Sequence, residues 1–381
     1  MSDSHIRILF YSQSPHYGGA EEYVYQIARG FPQGRFRFSY VHDTDSRLGR
    51  FTERLREAGV EVHRIQRIRG KSDLVSFMKH VRFFRRLSPD VVHFNQSNPY
   101  SQQYSVLAAR LAGIRCLLAT YHLTPQNRTR TMRGRLLEKL ILRLFKRIIV
   151  LSGQNRDELL SHFSVVPGKV RVIENGVEDQ GEVRQADLEG LRRELGIVNG
   201  KQIVACAGRL TPQKGFGHLL EAARQLGRKD VAIVIAGEGP SAHLLRSRVE
   251  QLRLGDSVIF TGFREDVWKI FCLSDLVAIP SIYEGQPLVL LQAMAAGKAV
   301  VASNIHGLAD TVRDGETGIL VEPGSVRQLA NAIGKLLDEN DLRMRMGQRA
   351  RELYKKRYTA SEFQRRMEAF YMEVTPDGRG R

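Results

Sequence analysis

Short apolar runs alternate with amphipathic stretches along the chain, and this alternation is the first indication of its fold. Runs such as Ile6–Ser12, Val91–Asn95 and Cys116–Tyr121 are rich in branched and aromatic side chains and predict buried strands. Between them lie longer segments with apolar residues at helical spacing, such as Leu74–Leu87. Strands and helices that alternate in this way predict a parallel sheet covered by helices on both faces.

A second series of the same kind begins after a polar, glycine-containing stretch at residues 177–200. Its strands are predicted at Ile203–Ala207, Ala232–Ala236, Val258–Thr261, Leu276–Ile279, Ala299–Ala302 and Gly318–Val321. The sequence therefore predicts an α/β protein with two Rossmann-like, doubly wound domains. We place the first domain at residues 1–180, a linker at 181–200, the second domain at 201–358 and a last helical segment at 359–381.

The segment Ser281–Ser303, which reads SIYEGQPLVLLQAMAAGKAVVAS, carries the strongest chemical signal. Glu284 follows a predicted strand and Pro287 opens a predicted amphipathic helix, so a carboxylate lies beside the free N–H groups of a helix start. At the carboxyl end of a parallel sheet, a helix start favours anions such as phosphate. Gln292 follows Glu284 by eight residues, which is about 12 Å along a continuous helix. This span suits a ligand with a sugar and a ribose joined by a diphosphate.

Two cations follow the first predicted strand of the second domain. Arg209 and Lys214 flank a Thr211–Pro212 turn, so both side chains can point toward the edge of the sheet. Cations in this position suit a diphosphate leaving group. Two solvated basic residues in a loop are the simpler alternative.

Two features of the first domain are weaker by themselves. Gly18 and Gly19 lie in the first strand–helix turn, where glycine lets the backbone approach a ligand closely, although a tight turn explains them equally well. His122 ends a predicted strand and so faces the edge of the sheet where ligands bind, unless it is an ordinary surface histidine.

Two further motifs carry little weight. Gly237–Ala242 fits the dinucleotide-binding pattern G-x-G-x-x-A, but it follows the second strand of its domain instead of the first. Asp43–Asp45 has the D-x-D spacing of some metal sites, and a triplet of this kind is expected by chance in a chain of this length.

The net charge of +17 is concentrated in the first half of the chain. Residues 1–176 contain 29 basic and 14 acidic residues, whereas residues 177–381 contain 29 and 27. Such a field suits anionic lipid, nucleic acid or a phosphorylated acceptor, or it is a solvated basic surface without a partner. The three cysteines are widely separated, and no signal or membrane-spanning pattern is found, so we expect a cytoplasmic location.

A series of short motifs runs along nearly the whole chain. They are GGAE at Gly18–Glu21, VVHFN at Val91–Asn95, VIENGV at Val172–Val177, GRLTPQKG at Gly208–Gly215, GEGP at Gly237–Pro240, the segment Ser281–Ser303, and DGETGILVEP at Asp314–Pro323. In this order they resemble the family-4 retaining glycosyltransferases of the GT-B architecture. Three positions depart from the family: Gln292 replaces a usual glutamate, Asn95 a common histidine and Glu174 a common proline.

The resemblance implies roles for the matched positions. Arg209 and Lys214 would hold the donor diphosphate and stabilise the leaving group, and Glu284 would contact hydroxyls of the donor sugar. His122 would lie near that sugar. The donor-binding positions that it implies are Gly18, Gly19, Gly208, Gly262, Phe263, Arg264, Gly285, Gln286, Leu288, Val289 and Gln292. Among these, position 292 would hold the ribose, residues 262–264 would lie against the base, and backbone N–H groups at 286, 288 and 289 would bind sugar or phosphate.

The resemblance also implies two domains that face each other across a cleft, with the last helix crossing back to the first domain. The first domain would bind the acceptor, and the second would bind the nucleotide sugar. The implied reaction is metal-independent and cofactor-free transfer of a sugar, with retention, from a nucleoside diphosphate sugar, with UDP favoured over GDP. The acceptor would be a sugar, lipid or small molecule in the synthesis of cell-surface polysaccharide, glycolipid or another glycoconjugate.

For partners, we expect the basic first half to attach peripherally to the anionic inner face of the plasma membrane, and we expect no nucleic acid. The alternatives are a sugar phosphorylase of the same fold and a non-catalytic protein that binds anionic lipid or nucleic acid.

Overall fold

The computed structural model describes residues 5–31, 34–46, 48–96, 99, 101–123, 132–163 and 165–375. The chain divides into two compact units. The first consists of Met1–Asn175 together with Ala360–Arg381, and the second of Gly176–Thr359. Each unit is built around its own parallel sheet, which confirms the predicted α/β architecture with two Rossmann-like domains.

A seven-stranded sheet forms the centre of the first unit. In chain order its strands are β1 (Ile6–Ser12), β2 (Phe36–Asp43), β3 (Glu61–Ile65), β4 (Val91–Gln96), β5 (Cys116–Tyr121), β6 (Arg147–Val150) and β7 (Val170–Val172). Their order across the sheet is β3-β2-β1-β4-β5-β6-β7, with parallel pairings. The strand order reverses between β1 and β4, which is the switch point at which open α/β sheets bind ligands.

Helices cover both faces of this sheet. They are α1 (Gly19–Gly30), α2 (Gly49–Glu57), α3 (Leu74–Leu87), α4 (Gln103–Leu111), α5 (Met132–Leu144) and α6 (Gly153–His162). Ile8 and Phe10 of β1 pack on the side of α1, whereas Leu9 and Tyr11 pack on the side of α3 and α4. Successive strand residues point to opposite faces, so both faces of β1 are apolar because both are covered.

A six-stranded sheet forms the centre of the second unit, in the order β10-β9-β8-β11-β12-β13. Its strands are β8 (Gln202–Ala207), β9 (Val231–Ala236), β10 (Val258–Gly262), β11 (Leu276–Ile279), β12 (Ala299–Ser303) and β13 (Gly318–Val321). Its helices are α7 (Gln185–Glu194), α8 (Phe216–Leu226), α9 (Ala242–Gln251), α10 (Val267–Leu273), α11 (Leu288–Ala295), α12 (Val326–Asp338) and α13 (Asn340–Arg357). The strand order reverses between β8 and β11, which places the switch point of this sheet beside the loops that follow those two strands.

The last helix, α14 (Ala360–Val374), belongs to the first unit, where it packs against α1. The Tyr371 hydroxyl lies 2.7 Å from Nδ1 of the buried His93, and His93 Nε2 lies 2.8 Å from the Thr120 hydroxyl. The end of the chain therefore completes the core of the unit in which the chain begins.

Several local predictions differ from the structure. The units divide after residue 175 instead of 180, and the predicted linker at 181–200 contains α7, which packs against α10 inside the second unit. Helix α6 was not predicted, because few of its residues are apolar. The signal for it in the sequence is Ser152, whose hydroxyl accepts a hydrogen bond from the Asn155 N–H at 3.2 Å. Within the described residues, every helix is too short or too polar to traverse a lipid bilayer.

Helix α11 is not amphipathic, contrary to the prediction. It reads LVLLQAMA, and most of its side chains are buried. Helices α10 and α13, which also contact the sheet, pack against α11. A helix that is apolar nearly all round is a buried helix.

Candidate functional site

The loops after β8 and β11 meet at the carboxyl end of the second sheet. The Ile282 N–H donates to the Gln213 carbonyl at 2.8 Å, and the Gln213 amide donates to the Tyr283 carbonyl at 2.9 Å. Gly215 adopts a positive φ of 67°, and a Cβ there would collide with the carbonyl oxygen of Pro280. Only glycine permits this approach, which brings the two chemically important loops together.

A buried ion pair links those two loops. Lys214 Nζ lies 2.5 Å from Glu284 Oε1, and the Ser281 hydroxyl donates to the same oxygen at 2.8 Å. The Glu284 side chain is 5% exposed and that of Lys214 18%. Two of the predicted catalytic residues, 70 positions apart in sequence, are thus in direct contact and hold each other in one orientation.

The third predicted residue of this group, Arg209, is exposed. Its guanidinium makes no recorded hydrogen bond or ion pair with a residue that the structure describes, so it is free to bind an anion. Leu288 and Val289 begin α11, and the first N–H groups of a helix have no partner within the helix. A helix start and an exposed cation in the same unit suit a phosphate group.

Contacts with the loop after β12 hold the segment between Glu284 and α11 in place. The Gln286 side chain is buried, and its amide donates to the Thr311 hydroxyl at 3.1 Å; that hydroxyl donates to the Gly307 carbonyl at 3.0 Å. Gly307 adopts a φ of 82°, and a Cβ there would overlap the carbonyl oxygen of Gly285. Thr311 and Gly307 were not predicted, because their role is visible only in the contact between distant segments.

The loops after β9 and β10 also lie at the carboxyl end of the second sheet. The Gly208 N–H donates to the Ala236 carbonyl at 2.9 Å, and the Gly237 N–H donates to the Gly262 carbonyl at 2.8 Å. Gly208 and Gly262 both have positive φ, of 149° and 72°. The predicted positions 208 and 262 therefore lie on one continuous row of loops.

The two predicted residues beyond Gly262 behave differently from each other. The Phe263 side chain is 48% exposed, and its N–H donates to Glu238 Oε1 at 3.4 Å. The Arg264 guanidinium is already engaged: it donates to both oxygens of Asp266 at 2.8 and 3.0 Å and to Glu194 Oε1 at 2.5 Å. The side chain of Arg264 therefore braces α7, and only its backbone remains for a ligand.

Gln292 lies on α11 and is half-buried. Residues 284–287 precede the helix, so the span from Glu284 to Gln292 is a loop followed by one helical turn. The separation of about 12 Å assumed a continuous helix, and that assumption is wrong.

In the first unit, the remaining predicted residues meet at the carboxyl ends of β1, β4 and β5. Gly18 precedes α1, and its carbonyl accepts hydrogen bonds from the N–H groups of Glu21 and Glu22 at 3.1 Å. A Cβ on Gly18 would meet only a Glu21 carboxylate oxygen, at 3.7 Å, and its φ of −170° is extended. Neither packing nor backbone conformation within this unit demands glycine at 18, and Gly19 follows it as the first residue of α1.

His122 is held by a chain of hydrogen bonds. The Asn95 amide donates to the Ala20 carbonyl at 2.9 Å, which turns its oxygen toward Nε2 of His122. Because an amide oxygen only accepts, Nε2 carries the proton and Nδ1 presents a lone pair. The ring lies edge-on to Tyr23, and burial lowers the pKa of His122 to about 3, so the imidazole is neutral at physiological pH. The sequence marked Asn95 only as a departure from a family; its role as an orienting group is visible only in the structure.

Glu21, the acid of the GGAE motif, is buried on the first turn of α1. It accepts a hydrogen bond from the Ser12 hydroxyl at 3.3 Å and is 1% exposed. Burial raises the pKa of this carboxyl to about 7. A carboxyl with such a raised pKa is part of the interior of the unit instead of an anionic surface group.

Two doubly wound units, one with a cation-lined row of loops at the end of its sheet, define the GT-B class of fold. The chain matches the family model described as Glycosyltransferase Family 4 over residues 17–180 and that described as Glycosyl transferases group 1 over residues 188–353. The chain belongs to the group 1 glycosyltransferases.

Three proteins illustrate the similarity. An α-D-kanosaminyltransferase of Streptomyces kanamyceticus is 32% identical over 60% of this chain and 60% of its own length. A UDP-Gal:α-D-GlcNAc-diphosphoundecaprenol α-1,3-galactosyltransferase of Escherichia coli is 27% identical over 71% of this chain and 72% of its own length. The crystal structure of HepE of Anabaena in complex with UDP-glucose superposes with a TM-score of 0.85 and 23% identity, over 97% of this chain and 100% of HepE.

These similarities differ in what they show. The chain spans 60% of the first of the curated relatives and 72% of the second. At 23% identity, the superposition on HepE shows a shared fold.

Proposed function

We propose that this protein transfers a sugar from a nucleoside diphosphate sugar to a hydroxyl of an acceptor, with retention of configuration and without a metal ion. The observation that carries the proposal is the Lys214–Glu284 ion pair in the same unit as the exposed Arg209 and the start of α11. It places cations for a diphosphate and a carboxylate for sugar hydroxyls in neighbouring loops. The family to which the chain belongs supports the same reaction class.

The proposed roles follow from charge and position. Departure of a nucleoside diphosphate builds negative charge on its β-phosphate, and Arg209 and Lys214 would stabilise that charge in place of a metal ion. The N–H groups of Leu288 and Val289 would add to this stabilisation, because they point out of a helix start. Glu284 would accept hydrogen bonds from hydroxyls of the donor sugar, an orientation that Ser281 and Lys214 fix in advance.

Retention would follow a front-face path, in which the leaving phosphate takes the proton of the acceptor hydroxyl. In the first unit, neutral His122 would offer Nδ1 as an acceptor to a hydroxyl of the donor sugar. Gly18 would leave room for the donor, since nothing in its own unit requires the absence of a side chain.

We favour UDP over GDP as the nucleotide. The support is by similarity, since HepE is described in complex with UDP and with UDP-glucose, and the Escherichia coli relative is named for a UDP-sugar donor. Residues 262–264 would lie against the base through their backbone, because the Arg264 side chain is engaged elsewhere.

We also propose that the protein binds peripherally to the cytoplasmic face of an anionic membrane, where it would act in the synthesis of a cell-surface glycoconjugate. In the first unit α4 packs against both α3 and α5. These three helices expose large apolar side chains, 42–71% accessible: Leu74, Val75, Met78, Leu111, Leu136 and Leu140. Exposed basic residues lie between them: Lys79, Arg82, Arg85, Arg86, Lys139 and Arg143. Apolar side chains among cations suit a bilayer with anionic headgroups.

Nucleotide release and nucleotide binding test the transferase proposal together. The protein is mixed with UDP-glucose, UDP-galactose, UDP-N-acetylglucosamine and their GDP counterparts, and both the melting temperature and the release of nucleoside diphosphate are measured. We expect a UDP-sugar to raise the melting temperature and to yield UDP by slow hydrolysis, in which water takes the sugar in place of an acceptor hydroxyl. Arg209→Ala should lower turnover by about 100-fold or more without changing the melting temperature of the free protein, since Arg209 is exposed.

Arg224→Ala, at an exposed site on α8, is the matched control and should leave turnover unchanged. Phosphate-dependent release of a sugar phosphate, with no response to any nucleotide, would instead identify a sugar phosphorylase. Full activity in Arg209→Ala would contradict the assigned role of this cation.

A further inference from the structure

Buried polar atoms without a partner cluster at the carboxyl ends of β4 and β5 in the first unit. Among the described residues they are both amide atoms of Gln96, the Oε1 atom of Gln102 and the hydroxyl of Tyr121. Gln96 and Tyr121 are each 1% exposed. Buried polar groups are almost always hydrogen-bonded, so a cluster of unpaired ones points to a ligand.

The sheet places these side chains together. Gln96 and Tyr121 are register partners on adjacent parallel strands, so their side chains leave the sheet side by side on the same face. Gln102 joins them from the loop before α4, because its amide nitrogen donates to the carbonyl of Asn95 at 3.1 Å. Its Oε1 atom is thereby held beside the end of β4.

Neighbouring polar groups on the same face are satisfied. The Tyr11 hydroxyl lies 2.8 Å from each of three partners, His80 Nε2, the Ser105 hydroxyl and the amide of Gln13. The Tyr11 hydroxyl, on the same face, is therefore satisfied within the protein, whereas Gln96, Gln102 and Tyr121 leave polar atoms without a partner among the described residues.

The chemistry of the cluster selects a class of ligand. An amide oxygen only accepts, an amide nitrogen only donates, and a tyrosine hydroxyl does both. A hydroxyl group also both donates and accepts, so several hydroxyls on one ring can pair with all of these atoms. The three side chains carry no positive charge, and the nearby Glu138 carboxyl is buried, so a phosphate would be poorly compensated here.

We propose that Gln96, Gln102 and Tyr121 form a subsite for a neutral, hydroxyl-rich ring, such as the hexose or polyol unit of an acceptor. The assignment of that ring to the acceptor rests on the proposed transferase function. The subsite itself rests only on the unpaired atoms and their register.

Binding of free glycosides to the full-length protein tests the subsite without requiring turnover. The probes are methyl α-D-glucoside, methyl α-D-galactoside, methyl α-D-mannoside, N-acetylglucosamine and myo-inositol, with glucose 6-phosphate as the charged counterpart, and binding is measured by saturation-transfer NMR and titration. We expect one or more of the neutral probes to bind. Gln96→Leu and Tyr121→Phe should each weaken that binding about tenfold, because each removes hydrogen bonds that only the ligand completes.

Tyr40→Phe is the matched control. It removes another fully buried tyrosine hydroxyl, on the opposite face of the same sheet, and should leave glycoside binding unchanged. If Gln96→Leu fails to fold, Gln102→Met replaces it, since Gln102 is only half-buried. Absence of binding by every neutral probe, unchanged binding in both variants, or binding of glucose 6-phosphate alone would overturn the proposal.

The same samples are also titrated with UDP and UDP-glucose. Glycoside binding without any response to nucleotides would leave the subsite standing and would count against the transferase proposal. Nucleotide binding without glycoside binding would overturn the subsite and leave the transferase proposal standing.

Discussion

At the scale of single residues, burial and neighbours decide the chemistry of each functional group. Glu284 lies in the loop between β11 and α11, and Glu21 lies on the first turn of α1. Both side chains are almost fully buried. Glu284 has the cation Lys214 at 2.5 Å, whereas the hydrogen bonds to Glu21 come from neutral groups such as the Ser12 hydroxyl at 3.3 Å. A carboxyl without a cation is costly to ionise in the interior, so burial raises the pKa of Glu21.

The raised pKa of Glu21 predicts a pH-dependent stability. The pKa of Glu21 is about 7 in the folded protein against an ordinary value of 4.5, so protonation of Glu21 favours the folded state. This contribution to the free energy of unfolding is complete below about pH 4.5 and is lost as the pH rises through 7. Glu21→Gln removes the ionisation, and at pH 8 the variant should be more stable than the natural protein by on the order of 3 kcal/mol. Urea denaturation at pH 5 and pH 8 measures this difference.

At each pH, the difference in unfolding free energy between Glu21→Gln and the natural protein cancels the contribution of every other titrating group. Glu57→Gln, on the exposed surface of α2, should show equal effects at both pH values. If the gain from Glu21→Gln were the same at pH 5 and pH 8, Glu21 would not be protonated in the folded protein.

At the scale of elements, close backbone contacts position the loops of the candidate site. The loop after β12 reaches back to the segment after β11, where Gly307 touches Gly285. This contact and the Gln286–Thr311 hydrogen bond support the segment that carries Glu284. The geometry of the site thus depends on residues that have no chemical role of their own.

A pair of glycine substitutions tests this support. Gly307 and Gly315 both have positive φ, of 82° and 74°, so alanine costs about 1 kcal/mol at either position through the backbone alone. At Gly307 the new Cβ would also overlap the Gly285 carbonyl, whereas at Gly315 no atom lies within 4 Å. Gly307→Ala should therefore cost about 2 kcal/mol more in unfolding free energy than Gly315→Ala.

Gly307→Ala should also reduce the thermal shift produced by a UDP-sugar, because the displaced segment carries Glu284 and leads into α11. Equal losses of stability for the two alanine variants, with an unchanged response to nucleotide, would show that the contact does not support the site.

At the scale of the whole molecule, the net positive charge lies mostly in the first of the two units. The basic excess lies in residues 1–176, and the exposed apolar side chains of α3, α4 and α5 lie in the same part of the chain. The second unit has nearly balanced charge and carries the Lys214–Glu284 pair. The first unit is therefore the one whose charge and exposed apolar side chains suit a membrane surface.

Sedimentation with lipid vesicles tests this division. The protein should sediment with vesicles containing phosphatidylglycerol at low salt, less so at high salt, and not with vesicles of phosphatidylcholine alone. Replacing Leu74 and Val75 by serine should reduce the bound fraction several-fold, because both side chains are exposed on α3. Leu244→Ser, at a similarly exposed leucine of the second unit, is the control; an equal effect there, or no sedimentation at all, contradicts the membrane proposal.

The sequence by itself determined the elements and the motifs of this protein. Strands such as Leu276–Ile279 and helices such as Leu74–Leu87 follow from local apolar patterns, and their observed bounds equal the predicted ones. The pattern also indicated where charged and small residues follow strands, which was enough to select Arg209, Lys214 and Glu284. These are local properties, because each depends on the residues next to it in the chain.

Only the tertiary structure decided which of those residues meet and in what state. It paired Lys214 with Glu284, set Asn95 to orient His122, engaged Arg264 with Asp266 and added α14 to the first unit. It also packed α10 and α13 against α11. The physical reason is that burial, charge compensation and hydrogen-bond pairing depend on neighbours that are distant in sequence.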